Sequence, residues 1–352
     1  MNRFDFIRPT SIAEAIATAS VPGSTYLAAG TNQLDLMKIG VSRPDRLIDI
    51  SRLPDLDRID WLEDGSVRIG TLVRNADLAY DDRFAATFPA VGEALLSGAS
   101  AQLRNAATVG GNLMQRTRCA YFQDTASACN RRLPGSGCDA RDGENRLHAV
   151  LGWSDHCIAT HPSDFCVPLT ALDAVVEVEG PDGRREIPVD ALHRLPGDTP
   201  EKENDLHPGE LIVALRIPAA GGAFARNARY LKLRERTSYA FAVVSAAAML
   251  EIDHGSIIRA GVALGAVAPK PWRAREAEAF LAGKPASAET FAEAARLALA
   301  EALPSGENAF KIELARRILS RALILAAEGT PATMPALPGS PFSTIPGDRH
   351  VA

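Results

Sequence analysis

All five cysteines of this chain, Cys119, Cys129, Cys138, Cys157 and Cys166, fall between Thr108 and Cys166, and the rest of the sequence has none. The segment opens on a Gly-Gly turn, Thr108-Val109-Gly110-Gly111-Asn112, and closes on a second polar turn, Ala159-Thr160-His161-Pro162-Ser163-Asp164. Between them the chain is polar and loop-like, as in Arg131-Arg132-Leu133-Pro134-Gly135-Ser136-Gly137, a poor home for core thiols. Thiols gathered in such a segment suggest a metal or redox centre beside a ligand site. An odd number leaves one cysteine over from a full disulfide set, and a reducing compartment disfavours structural disulfides. Metal or cluster ligation and plain buried thiols remain as the two readings.

Spacing does not separate them. Nine, eight and eighteen residues intervene between Cys119, Cys129, Cys138 and Cys157, which matches neither the common ferredoxin runs nor a zinc ribbon. Ligands need only converge in space, however. Arg116, Arg118, Arg131 and Arg132 would offset thiolate charge, or simply be solvated surface. His148 and His156 are substitute ligand candidates, and His161 is placed to hydrogen-bond a ligand. Cys166 differs, because Phe165-Cys166-Val167-Pro168-Leu169 is apolar and makes it a small buried hydrophobe.

The remaining chain bounds the function. A net charge of −5 argues against nucleic acid as a partner, since phosphate neutralisation needs a basic surface. No apolar run is long enough to cross a bilayer, and Met1–Phe6 carries no apolar signal region. The expected location is therefore the cytoplasm, or the periplasm by co-export with a signal-bearing partner. No Ser/His/Asp set, paired carboxylates or Walker motif stands out.

Periodicity predicts a β-α-β start. Ser11 and Glu14 make a capping box for a helix over Ala13–Ser20, with strands at Tyr26–Ala29 and Arg46–Ile50. Further strands are expected at Ser66–Val73, Leu211–Ile217, Ala240–Ile252 and Ile257–Val267. Helices are expected at Phe88–Gly98, Pro271–Leu281, Glu289–Ala302 and Phe310–Ala327. The charged hairpin Gly180–Arg184 sets a boundary near position 178, and Ala-rich helices after strands indicate an α+β third region. The Pro-, Gly- and Ser-rich end over residues 329–352 reads as a tail.

Two turns suit an anionic ligand. Leu27-Ala28-Ala29-Gly30-Thr31-Asn32-Gln33-Leu34 runs from a strand through a Gly turn into a helix start, which exposes backbone N–H groups. An ordinary strand-to-helix turn reads the same way. Gly110-Gly111-Asn112 lets backbone approach a ligand closely, or simply turns. No full Gly-x-Gly-x-x-Gly follows a strand, so a Rossmann nucleotide site is disfavoured.

Taken in order, these motifs resemble the FAD-binding subunit of molybdenum hydroxylases. Residues 27–34 resemble the family's first FAD loop, Ala-Gly-Gly-Thr-Asp, with Ala29 in place of a glycine and Asn32 in place of the acid. Thr108–Asn112 resembles Thr-Ile-Gly-Gly-Asn, and Ala159–Asp164 resembles Ala-x-x-Pro-Ser-Asp, whose aspartate touches the flavin nucleotide. Gly209-Glu210-Leu211-Ile212 and Lys232 match later contacts, and Val267–Arg273 resembles the signature of the C-terminal domain.

The resemblance implies a two-subdomain FAD-binding fold of the vanillyl-alcohol-oxidase type followed by an α+β domain. It divides the chain at residues 1–57, 58–178 and 179–328, with a cysteine-rich insertion over 115–158. The insertion is similar to that of aldehyde oxidoreductase flavoproteins carrying an extra [4Fe–4S] cluster. That implies Cys119, Cys129, Cys138 and Cys157 as ligands, without Cys166. Leu27, Ala28, Ala29, Gly30, Thr31, Asn32, Gln33, Leu34, Thr108, Gly110, Gly111, Asn112, Asp164, Leu211, Ile212 and Lys232 become the implied FAD contacts. The implied partners are a molybdenum cofactor-binding large subunit and a [2Fe–2S] small subunit, with no substrate-oxidising site in this chain. A stand-alone flavin oxidase and a metal-stabilised scaffold are the competing readings.

Overall fold

Local signals set the first unit of the computed structural model, which describes residues 1–333. Ser11 Oγ accepts from the Glu14 N–H at 3.2 Å and starts the helix Ile12–Ala19. The Glu14 carboxylate then accepts from the Thr10 N–H at 2.7 Å, one residue earlier than in a regular capping box. Strands β1 (Asp5–Ile7), β2 (Ser24–Leu27) and β3 (Arg46–Asp49) form a parallel sheet with β3 in the middle. Strand β2 ends at Leu27, so Ala28 and Ala29 leave the sheet and join the turn that leads to the helix Gln33–Lys38.

The second sheet is antiparallel. It contains β4 (Ile59–Trp61), β5 (Val67–Gly70), β6 (Val175–Gly180), β7 (Gly183–Pro188) and β8 (Leu211–Ile217), in the order β4-β5-β8-β6-β7. This corrects the division expected at 178/179. Strand β8 lies between β5 and β6, so the sheet runs across that position, and the hairpin Gly180–Gly183 is a tight turn within it. The second sheet gives way to the third between Ile217 and Ala228. The apolar run after Asp164 also splits in two. It forms the helix Cys166–Ala171, turns at Asp173 with φ +53°, and then enters β6.

Strands β9 (Ala228–Leu233), β10 (Val244–Asp253), β11 (Ser256–Gly265) and β12 (Trp272–Arg273) make the third sheet, in the order β12-β11-β10-β9. Both of its faces are covered. Ala247, Met249 and Ala263 pack into the core of the second unit, while Val244, Ala246, Ala248, Leu250, Val262 and Leu264 pack against the C-terminal helices. Two-sided burial is why β10 reads as a continuous apolar run rather than an alternating one. The covering helices are Arg275–Leu281, Ala288–Ala298 and Phe310–Glu328. The first starts later than Pro271 because Trp272 and Arg273 pair with β11. Gly329, with φ +113°, ends the last helix, and the expected tail lies outside the described residues from 334 on. No helix among the described residues is long and apolar enough to cross a membrane.

The last helix also clamps the cysteine-rich segment. Lys311 is fully buried, and its Nζ donates to Leu147 O at 2.8 Å, His148 O at 2.9 Å and Ala266 O at 2.7 Å. Three ammonium protons meet three carbonyls. Asn308 Nδ2 adds donations to His148 O and Ala149 O, both at 3.1 Å. Replacing Lys311 with methionine strips Leu147 O and Ala266 O of their donor and leaves His148 O to Asn308 alone. The expected cost is about 2–4 kcal/mol, visible as a lowered urea midpoint. An unchanged midpoint would show that the clamp carries no stability.

Candidate functional site

The turns singled out in the sequence face one cleft of about 1010 Å³. Its walls include Ala28, Ala29, Gly30, Thr31, Asn32 and Gln33 from the first unit, Thr108, Gly110 and Gly111 from the second, and Leu211 and Ile212 from β8. Tyr26 OH donates to Gly209 O at 2.8 Å and ties the two units together at the cleft. A volume of this order suits a large organic cofactor.

Backbone geometry explains the glycines. Gly30 has φ +75°, and a Cβ there would sit 2.7 Å from Leu34 Cδ1. Gly110 donates its N–H to Thr71 O at 2.9 Å, and a Cβ would lie 1.8 Å from Thr71 Oγ1. Thr108 caps the following turn, its Oγ1 accepting from the Gly111 N–H at 3.2 Å. Two motifs also meet directly, because Ser163 Oγ donates to Asn112 Oδ1 at 2.8 Å.

Not every expected residue reaches the cleft. Leu27 and Leu34 pack with Met37 and Leu47 in a small core beneath the first turn. Asn112 is spent on Ser163 and on Gln115, whose Nε2 donates to it at 2.5 Å. Asp164 and Lys232, the other two expected contacts, lie apart from the cleft walls. Their side chains pair at 2.8 Å, 8 % and 4 % exposed, and neither lines the cleft. Tyr230 OH donates to Asp164 Oδ1 at 2.6 Å, and Lys232 Nζ also donates to Ser97 O at 3.1 Å. Buried charges hold together only when paired and hydrogen-bonded. This network fixes the turn before Cys166 to β9 and to the helix Pro89–Ser97.

Four buried polar atoms of cleft-lining residues have no protein partner, Arg131 Nε, His193 Nε2, Asn32 Nδ2 and His161 Nε2, and neighbours fix the sense of the last two. Asn32 Oδ1 accepts from the Arg116 N–H at 3.1 Å, which orients the amide. The Ser163 N–H donates to His161 Nδ1 at 3.3 Å, which leaves the ring proton on Nε2. Both orphans are therefore donors awaiting an acceptor.

His161, Cys166 and His193 bring their donor atoms within 4.8 Å of one another. The tautomer of His161 opposes cation binding at Nε2. Burial, with His193 and Arg131 nearby, drives the His161 pKa well down, and burial with the Lys270 charge pushes His193 down to about 4. The unfolded imidazole takes its proton near 6.5, so between these values only the unfolded chain is protonated and stability falls on acidification. His193 alone is expected to remove about 3 kcal/mol between pH 7 and pH 4. Urea titrations at both pH values, on the chain and on His193→Gln, read this directly. An equal acid loss in the variant contradicts it.

The cysteines Cys119, Cys129, Cys138 and Cys157 all line a second, small cavity. Cys129 and Cys138 face one another across an antiparallel bridge, with Asn130 N donating to Gly137 O at 2.7 Å. Polar side chains hold the loops around it. Arg132 donates to Tyr121 O and Phe122 O, both at 2.8 Å, and Asp139 Oδ2 accepts from the Ala128 N–H at 2.7 Å. Burial pushes the Cys119 thiol up to about 11, against the opposing N–H groups of Phe122 and Tyr121. Burial raises Cys138 as well, opposed by the N–H groups of Ala140 and Ile158. His148 Nε2 lies 3.2 Å from Cys119 Sγ, while His156 lines the cavity from an exposed position. Cys166 lies elsewhere, fully buried in the core helix, its pKa pushed up to about 12 by burial.

Sequence reasoning missed the polar rim. Glu203 accepts from Arg116 Nε at 2.8 Å and from Arg131 Nη1 at 3.1 Å, and all three residues line the cleft. His193 and Glu203 come from a loop without apolar period or turn signature, so only tertiary structure brings them in.

Comparison with known proteins completes the description. Residues 2–220 match the FAD binding domain in molybdopterin dehydrogenase, and residues 229–326 match the CO dehydrogenase flavoprotein C-terminal domain. The chain is 48% identical over 326 residues to the aldehyde oxidoreductase FAD-binding subunit PaoB of Escherichia coli K12, covering 92% of this chain and 98% of that one. It is 28% identical to the carbon monoxide dehydrogenase medium chain of Hydrogenophaga pseudoflava, over 91% and 96% of the two chains. Among solved structures, a chain of carbon monoxide dehydrogenase from Hydrogenophaga pseudoflava superposes with a TM-score of 0.72 at 27% identity, covering 93% of this chain and 98% of that one. A chain of reconstituted CO dehydrogenase from Oligotropha carboxidovorans gives 0.73 at 25% identity, covering 94% and 99%.

Proposed function

Because the chain belongs to the FAD-binding subunits of the molybdenum hydroxylase family, we propose that it is the electron-transfer subunit of an aldehyde-oxidising member, with FAD in the cleft and a [4Fe–4S] cluster among Cys119, Cys129, Cys138 and Cys157. The oxidoreductase class follows from the family. The finer reading rests chiefly on one observation: four cysteines spread over the insertion line a single small cavity beside the cleft. All four are free thiols. That donor set suits a thiolate-ligated cluster. The aldehyde assignment follows the relative of 48% identity. A molybdenum-binding large subunit and a [2Fe–2S] small subunit are the proposed partners, in keeping with relatives named as medium chains.

The cleft fits FAD by its own chemistry. The Gly110 backbone packs so closely on Thr71 in the cleft wall that no side chain fits, and Asn32 Nδ2 and His161 Nε2 offer unpaired donors. When bound, FAD supplies the exchange between single-electron and two-electron carriers. The chain's residues hold and orient it: the turns at Gly30 and Gly110 bring backbone close, and β8 contributes Leu211 and Ile212. Arg116, fixed by Glu203, keeps a positive charge in the wall. This reading gives the isolated chain electron transfer without substrate oxidation. Excess aldehyde added anaerobically to the purified chain is expected to leave its flavin spectrum unchanged, while dithionite bleaches it. Bleaching by aldehyde alone would contradict the reading and favour a stand-alone oxidase.

A further inference from the structure

Among the described residues, Arg131 alone lines both the cleft and the cavity between the four thiols. It is 7 % exposed, and its guanidinium donates on the cleft side to Glu203 at 3.1 Å. On the other side it lines the small cavity together with Cys157, and its Nε has no hydrogen-bond partner in the protein. Glu203 is shared with Arg116, whose guanidinium lies 4.5 Å from the Phe122 ring centroid, and Phe122 in turn lines the thiol cavity. Two arginines and one carboxylate leave this group with one net positive charge, carried in part by the buried Arg131 at the thiol cavity.

We propose that Arg131 is a charge-tuning residue between the two centres, raising the reduction potential of the cluster that the four cysteines ligate. The inference rests on the cluster reading above. One electron gained adds one negative charge, with no bond made or broken and no proton required. A fixed positive charge at low dielectric stabilises that product more than the starting state. Glu203 acts in the opposite sense: it orients Arg131 and offsets part of its charge. The two residues therefore pull the potential in opposite directions, whereas a merely structural contact has no such sign.

The test is an anaerobic redox titration of the protein with the partner chains it is isolated with, followed by the electron paramagnetic signal of the reduced cluster. Iron is measured per chain alongside. Arg131→Gln is expected to shift the midpoint to more negative potential, Arg131→Lys to stay near wild type, and Glu203→Gln to shift it to more positive potential. Iron-replete variants with unmoved midpoints, or with both shifted the same way, overturn the inference. If Arg131→Gln loses its iron, Glu203→Gln decides alone: a positive shift supports the inference, and an unmoved or negative one overturns it. Wild-type protein without iron overturns the cluster reading itself, and the inference with it.

Discussion

Gly110→Ala is expected to lower FAD retention at least tenfold while leaving the iron content untouched. The new Cβ would lie 1.8 Å from Thr71 Oγ1, 3.1 Å from Thr71 Cβ and 3.2 Å from Thr71 O. Rotating Thr71 relieves only the first of these. The backbone on both sides is pinned, since Gly110 N donates to Thr71 O and Val109 N to Val73 O, both at 2.9 Å. The turn must therefore move out of the cleft wall. Overpacking of this kind costs about 1–3 kcal/mol, too little to unfold a chain with cores of this extent. The same energy spent on cofactor geometry corresponds to roughly ten- to hundredfold in affinity. Flavin released on acid precipitation, counted per chain, measures it. Thr71→Ala in the Gly110→Ala background is expected to recover part of the binding, because the nearest atom is gone and the 3.1 Å and 3.2 Å contacts remain. Full flavin in Gly110→Ala would remove the turn from the site.

The second large effect concerns the thiols. Cys157→Ser is expected to take iron from about four per chain to near zero, and Cys166→Ala to leave it unchanged. Cys157 is 5 % exposed in the small cavity and sits in a tight bridge with Ser154. A serine oxygen fits the space but is a hard donor where soft thiolate is needed. Cys166, fully buried in the helix Cys166–Ala171, contributes packing alone, so its loss is read as a modest drop in stability. Iron retained in Cys157→Ser, or lost in Cys166→Ala, would break the division of the five cysteines into four and one.

That division was legible in the sequence, because an apolar neighbourhood distinguishes Cys166 from thiols set in polar loops. The helix starts at Ser11 and Pro89 and the doubly buried strand β10 were legible for similar reasons, each being a local signal. The glycine turns were visible as turns, and their shared cleft only as a resemblance. What escaped was set by contacts distant in sequence. Strand β8 lies more than a hundred residues from β5, so nothing local showed that the second sheet reaches past 178. Asp164 and Lys232 were read as cofactor contacts, and only folding shows them paired with one another in the interior. Arg131 was visible as one of several arginines. Its burial depends on Glu203, which arrives from a loop without any periodic pattern.

The central claim is that one chain holds a flavin in the cleft and an iron–sulfur cluster among Cys119, Cys129, Cys138 and Cys157. Anaerobic purification followed by iron, acid-labile sulfide and FAD analysis on the same sample tests it most directly. The account predicts about four iron and four sulfide for each FAD. Protein that carries FAD but no iron or sulfide would contradict the cluster, and protein without flavin would contradict the account as a whole.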